Sequence, residues 1–305
     1  MSWSTDNTVF VMVPWGYNSK PYEEKGFRVF SPYTDKSIVT RLIRELWFRL
    51  PGLPNRYWYN TCIIKNRPQY ILINDPLITV DFLEWLHKEL PSTQINLTYG
   101  NMVGKAKNLN PKEVPDYVRM WTYDDYDSRK YNIQLYPYCV SNGSINKKEP
   151  EYDVFFVGRD KGRGEWLLDF EKQLKAMGLK TKFIITKSRR VSKNKAYYQK
   201  EISYEEVLDY DSKSRAILNI VMENQEGVTM RDLEATSLNI KLITNNKNIV
   251  KKDIYNPKNV FVLGIDDLNS IVDFIRSNPD PIPEELFKKH SFEGRMDVIT
   301  REQYR

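Results

Sequence analysis

Short apolar runs alternate with amphipathic stretches along the first half of the chain. VFVMVP (9–14) predicts a strand that ends in the turn Trp15-Gly16-Tyr17-Asn18. YILIND (70–75) predicts a buried strand, and INLTYG (95–100) and VRMWTYDD (118–125) predict two more. Between them, KSIVTRLIRELWFRL (36–50) sets Ile38, Leu42, Leu46 and Leu50 at helical spacing, and VDFLEWLHKEL (80–90) is amphipathic. Strands separated by helices in this way predict a largely parallel α/β sheet.

The second half repeats the pattern with cleaner punctuation. Strands are predicted at YDVFFVG (152–158), TKFIIT (181–186), RAILNIV (215–221), KLITNN (241–246) and NVFVLG (259–264). Helices are predicted at EWLLDFEKQLKAMG (165–178), SYEEVLDYDSKS (203–214), VTMRDLEATSLN (228–239) and DLNSIVDFIRS (267–277). Gly178 stops the first of these, and Ser203 with Glu206 forms a capping box on the second. The polar stretch Ser141 to Pro150 divides the two patterned regions. The expected organisation is a Rossmann-like domain over 1–140, a linker over 141–150, and a second Rossmann-like domain over 151–278. A tail over 279–305 follows, with one helix at PEELFKKH (283–290), and a crossing back to the first domain is open to it. Doubly wound sheets bind ligands at the carboxyl ends of their strands.

Composition narrows the function. The chain has 305 residues, enough for two cores, and is 41% hydrophobic and 28% charged, a globular balance. No apolar run approaches the ~20 residues of a membrane span, and the N-terminus lacks a basic region and a cleavage site. A cytoplasmic protein is expected, acting at the inner face of the cytoplasmic membrane if it meets one. The two cysteines, Cys62 and Cys139, match no disulfide or zinc pattern, and with two histidines, His87 and His290, a His-rich metal centre is excluded and a Ser-His-Asp triad is disfavoured. The net charge of +6 favours anionic partners. Helix 36–50 carries Arg41, Arg44 and Arg49 beside Leu46, Trp47 and Phe48. Such a helix suits peripheral docking on an anionic leaflet, and it equally suits packing on the sheet with solvated arginines.

Two segments carry chemistry. In Glu226-Gly-Val-Thr-Met-Arg-Asp-Leu-Glu234, two glutamates flank a loop-to-helix junction after a buried strand, with Gly227, Val228 and Thr229 at the helix start. A helix N-terminus favours a diphosphate, and a carboxylate accepts hydrogen bonds from vicinal hydroxyls. In Gly158-Arg159-Asp-Lys161-Gly162-Arg163, cations and glycines fill the first βα loop of the second domain, without Walker A or Gly-x-Gly-x-x-Gly spacing. Asn245, at the end of KLITNN, is a further donor-side candidate. Asp75, at the carboxyl end of YILIND, and Gly16 are acceptor-side candidates; a turn or capping role is favoured for Asp75, which Pro76 follows, and a turn role is equally open to Gly16.

Glu-x7-Glu at this position in a second Rossmann-like domain resembles the GT-B glycosyltransferases, particularly the retaining group. The Gly-Arg…Lys-Gly segment is similar to the start of the donor domain in that family. Across residues 118–277 the chain resembles bacterial transferases of capsule, exopolysaccharide and lipopolysaccharide assembly. The resemblance implies a GT-B fold of two Rossmann-like domains with parallel sheets facing across a cleft. It places the donor sugar on Glu226 (or on Glu223 if that residue takes the role), the ribose on Glu234, and the leaving diphosphate on Arg159, Lys161 and Arg163. It also implies a UDP- or GDP-type nucleotide-sugar co-substrate, a glycan or lipid-linked acceptor, no cofactor and no metal. Asp124-Asp125 is the nearest approach to a metal motif and lies in the other domain. Basic stretches at Lys187–Lys195 and Lys247–Lys252 keep a nucleic-acid-binding reading open, though no recognised motif supports it and no nucleic-acid partner is expected. An epimerase, a dehydrogenase and an idle subunit of a transferase complex remain alternatives.

Overall fold

The computed structural model describes residues 2–13, 19–35, 37–65, 67–104, 108–139, 146–188 and 195–301. Two compact units divide the chain: Met1–Pro137 with Phe292–Arg305, and Tyr138–Ser291.

The first unit runs β1 (Thr8–Val11), α1 (Lys20–Glu24), β2 (Arg28–Phe30), α2 (Ile38–Trp47), β3 (Tyr70–Asn74), α3 (Val80–Glu89), β4 (Gln94–Tyr99), β5 (Val118–Thr122), α4 (Asp125–Tyr131) and β6 (Gln134–Leu135). Among the described residues these strands form one sheet in the order β2-β1-β3-β4-β5-β6, every pair parallel. A parallel sheet is covered on both faces, so its central strands read as continuous apolar runs, and β1 is buried at all four positions. The core under one face gathers Ile71, Ile73, Phe82, Leu86, Leu97 and Tyr99.

The second unit runs β7 (Tyr152–Arg159), α5 (Gly164–Ala176), β8 (Thr181–Thr186), α6 (Tyr204–Ser212), β9 (Ser214–Asn219), α7 (Met230–Ser237), β10 (Lys241–Thr244), β11 (Val260–Val262), α8 (Ile271–Arg276) and α9 (Glu284–Lys289). Its parallel sheet has the order β11-β10-β9-β7-β8. Ser203 caps α6, its hydroxyl accepting from Glu206 N while Ser203 N donates to the Glu206 carboxylate at 2.8 Å. Gly178 ends α5 with φ +79°, a conformation that glycine adopts without strain.

The tail holds a second helix that the sequence pattern did not reveal, α10 (Phe292–Thr300). It belongs to the first unit, where Phe292 packs on Phe27 (5.2 Å between ring centroids) and Gln94 Nε2 donates to Ile299 O at 3.0 Å. Its internal Gly294 and mixed polarity conceal the helical period.

Helix α2 sits in the predicted place with an unexpected orientation. Ile38, Leu42 and Leu46 face solvent, whereas Arg44 is buried, paired with Asp35 at 3.2 Å and stacked 3.9 Å from the centroid of Tyr33. The expectation of solvated arginines fails at Arg44, because a guanidinium can lie flat on an aromatic ring while a carboxylate satisfies its charge.

Candidate functional site

Both sheets follow the same doubly wound rule. In each, the direction of strand addition reverses once, between β1 and β3 in the first unit and between β7 and β9 in the second. At such a switch point the loops leave the strand ends in opposite directions and open a crevice. In the second unit those loops are 160–163 and 220–229, which overlap the two segments singled out from sequence, 158–163 and 226–234.

The first loop is organised by a residue that the motif reading passed over. Asp160 is buried, and its Oδ1 accepts from Gly162 N (3.0 Å) and Gly164 N (2.7 Å). Its Oδ2 accepts from Tyr197 Oη (3.0 Å) and Tyr198 Oη (2.5 Å). Burial raises its pKa, but the bonds from Tyr198, Gly164, Tyr197 and Gly162 outweigh that and hold it below the usual aspartate value. Gly164 is required at this spot, since an added Cβ would lie 2.8 Å from the Asp160 carboxyl carbon and strike the Tyr197 hydroxyl.

This turn presents Lys161 at its tip. Lys161 adopts φ +48° and donates its backbone N–H to Ser188 Oγ at 2.7 Å. Its ammonium pKa is lowered, first by partial loss of hydration and then by the like charges of Arg163 and Arg159. Among the described residues no carboxylate pairs with it. Arg159 is exposed and paired with Glu201 at 3.1 Å. Arg163 is less open than its motif suggests. It lies 5.6 Å from the Phe156 ring centroid and donates to Ile220 O, so it ties the β7 loop to the β9 loop across the switch point. Burial lowers its pKa to about 10. Gly158 gives it room, because a Cβ there would sit 3.3 Å from Arg163 Nη2.

The second loop is held at both ends. Asn219, closing β9, donates to Thr229 Oγ1 (3.0 Å) and Asp232 Oδ1 (2.6 Å). Thr229 is the N-cap of α7, and its N–H donates to Asp232 Oδ2 at 2.8 Å. Asn245 spends its amide on the backbone of Val221, accepting from Val221 N at 2.7 Å, and so positions the loop instead of standing free for a ligand. Asn246 donates to the carbonyls of Glu226 (3.3 Å) and Gly227 (3.4 Å). Gly227 and Val228 are buried beneath the loop, Glu226 is half-buried, and Glu223 is exposed. Both helix N-termini already hold carboxylates of their own chain, Asp160 at α5 and Asp232 at α7, which leaves the side-chain cations as the readiest anion receptors.

Glu234 lies in the second turn of α7 and is fully buried. Its Oε1 accepts from Tyr204 Oη (2.7 Å) and its Oε2 from Arg231 Nη1 (2.5 Å). Arg231 also forms a two-pronged pair with buried Asp211 at 2.7 and 2.8 Å. Burial raises the Glu234 pKa, with Arg231 opposing it. Glu234 and Glu226 therefore stand in different surroundings. The carboxylate that the resemblance assigns to the ribose is part of a closed network in which two acids and one base share a dry site.

In the first unit, Asp75 ends β3 and is buried. Its Oδ1 accepts from Gly100 N at 3.0 Å, while its Oδ2 has no hydrogen-bond partner among the described residues. Burial raises its pKa to about 7, with Gly100 and Asn108 opposing and Asp127 adding to the rise. Asp124 caps α4, accepting from Tyr126 N at 3.0 Å and Asp127 N at 3.2 Å. Gly16 and residues 189–194 of the basic run lie outside the described residues.

No family model matches the chain, and no curated protein matches it. Solved structures do. AviGT4, a glycosyltransferase of avilamycin A biosynthesis, superposes with a TM-score of 0.51 at 12% identity, covering 95% of each chain. A structure described as a UDP-N-acetylglucosamine 2-epimerase from Listeria monocytogenes superposes with a TM-score of 0.51 at 7% identity, covering 96% of this chain and 94% of that one. The two all-parallel sheets, each with one switch point, and these neighbours establish the architecture: the chain has the α/β GT-B fold, built from two Rossmann-like units.

Proposed function

We propose that the chain is a nucleotide-sugar-dependent glycosyltransferase whose donor site is the switch point of the second unit. The observation that carries this reading is the gathering of Arg159, Lys161 and Arg163 on the β7 loop, which Arg163 ties to the β9 loop, with no carboxylate paired to Lys161 among the described residues. Three cations at a strand-end crevice repel one another, and a diphosphate relieves that repulsion.

In the reaction the donor's glycosidic C–O bond breaks, the acceptor oxygen bonds to the anomeric carbon, and charge grows on the leaving diphosphate. Lys161 and Arg159 neutralise that charge, and Arg163 fixes the loops that hold them. Glu226 contacts the donor sugar. The Glu-x7-Glu resemblance favours retention, with front-face attack and the departing phosphate oxygen taking the acceptor's proton. An inverting course would use Asp75 as the base. For Glu234 to take the ribose hydroxyls, its enclosure must open, since its oxygens retain acceptor sites beside Tyr204 and Arg231 but the side chain is fully buried. The donor is of UDP or GDP type, no metal is required, and the acceptor is a glycan or lipid-linked saccharide of bacterial surface polysaccharide synthesis at the inner face of the cytoplasmic membrane.

The test is thermal unfolding in EDTA with UDP, GDP, CMP, dTDP and their sugar conjugates, on wild type, Lys161→Ala and Glu234→Gln. One nucleotide family should stabilise the wild type, by about 2.7 kcal/mol at a hundredfold excess over its dissociation constant, and the effect should vanish in Lys161→Ala. A folded protein that responds to none of them overturns the reading. The overlap with the structure described as an epimerase favours a second reading, a nucleotide-sugar epimerase. Conversion of the nucleotide sugar into its epimer without any acceptor would select it.

A further inference from the structure

The apolar stripe of α2 points away from its own unit. Ile38 is 77% exposed, Val39 65% and Leu46 61%, and Leu42, Ile43 and Leu50 are exposed beside them. At about 100° per residue the five of these positions within α2 cover an arc of roughly 140° on one side of the helix, and Leu50 follows just past its end. The opposite side holds Arg44, Trp47 and Phe48 against Tyr33 and Trp58. The exposed apolar face is thus not a core face left bare; the inward anchorage is complete without it. A contiguous patch of this kind on a folded domain marks a binding surface.

The charges around it identify the occupant. Residues 36–56 contain five basic residues, Lys36, Arg41, Arg44, Arg49 and Arg56, against one acid, Glu45. Arg44 is committed inward to Asp35, and Arg49 and Arg56 are exposed. Tyr57 is also exposed, with the Arg56 guanidinium 5.8 Å from its ring centroid. An apolar stripe edged by arginines and an interfacial aromatic matches the boundary of an anionic bilayer, where the apolar side chains enter the acyl region and the cations meet phosphates. A second copy of the same face is a poor partner, because two-fold pairing would set arginines against arginines with one acid per copy to offset them. No helix of the described residues is long and apolar enough to cross a membrane, so contact through α2 would be peripheral.

We propose that α2, with the turn through Tyr57, docks the protein on an anionic lipid surface. The proposal goes beyond the donor-site reading and does not depend on it. The experiment is flotation of the full chain with vesicles of phosphatidylglycerol and phosphatidylcholine in equal parts, and with phosphatidylcholine alone. Wild type should float with the anionic vesicles and be released by about 0.5 M salt. Ile38→Ser/Leu42→Ser/Leu46→Ser, all at exposed positions, should lose about tenfold or more of the bound fraction, and Arg41→Gln/Arg49→Gln/Arg56→Gln should lose the preference for anionic lipid. Wild type that floats with neither vesicle, or variants that float as wild type does, would overturn the proposal. So would a dimer in sedimentation equilibrium that the triple serine variant abolishes without any flotation. The nucleotide-induced melting shift of the same variants reports separately on the donor site.

Discussion

The two sheets end in the same topological feature and in opposite electrostatics. At the switch point of the second unit, Arg159, Lys161 and Arg163 gather on the β7 loop, which Asp160 organises and Arg163 ties to the β9 loop at Ile220 O. At the corresponding end of the first unit stand acids: Asp75 behind β3, with Asp124 and Asp127 behind β5. Topology decides where a ligand can approach, and side chains decide what it must be. On the proposed reading the basic end receives an anion. The acidic end can accept a proton, because burial brings Asp75 to about 7.

The largest expected effect tests the acidic end. A buried carboxyl with a raised pKa is disfavoured once ionised. The unfolded chain sheds its proton near the ordinary aspartate value while the folded chain keeps it, so stability falls as pH rises from about 4 to about 7. The full loss is of order 4 kcal/mol. Asp75→Asn should remove that slope, as read by denaturant unfolding from pH 4 to 8. An unchanged slope would mean that Asp75 is hydrated and ionised like a surface acid.

At the basic end, Lys161→Ala should cost transfer about a hundredfold, roughly 3 kcal/mol of transition-state stabilisation, while stability changes little. The side chain is exposed and bonded through its backbone only. If turnover survives within a factor of about two, the cation cluster is a solvated turn and the contrast between the two ends loses its functional meaning.

How much of this was legible in the sequence depends on range. The strands and most helices follow from local pattern, since a doubly covered strand must be apolar throughout and a capped helix announces its start, as Ser203 and Glu206 do. The loop carrying the cations was legible for the same reason. Residues wired by tertiary contact were not. Asp160 is one acid within a basic run, and nothing local says that Tyr197 and Tyr198 will close on it. Glu234 has the expected spacing, but its enclosure depends on Asp211 and Tyr204 from another helix. The orientation of α2 escaped as well: the apolar period gives the stripe, but not which way it faces.

Asp160→Ala should destabilise the second unit by about 3 kcal/mol, because it leaves two backbone N–H groups and two tyrosine hydroxyls without their charged acceptor. Thermal melting checks this. As the folded carboxyl is held below its ordinary value, its contribution is present at neutral pH and fades as pH falls through the carboxylate range, so the difference between wild type and variant should narrow in acid. A difference constant with pH would assign the loss to packing.

The smallest stability effect is the most discriminating. Arg159 and Glu201 form an exposed pair at 3.1 Å, and such pairs contribute about 1 kcal/mol or less. Arg159→Ala should therefore leave the melting temperature of the free protein almost unchanged, and so should Glu201→Ala. With the stabilising nucleotide bound the two variants should part company. Loss of Arg159 removes a phosphate partner and shrinks the melting shift, whereas loss of Glu201 frees Arg159 and enlarges it. If both variants shrink the shift equally, the pair acts as one structural clasp on the loop, and the anion is held by Lys161 without Arg159.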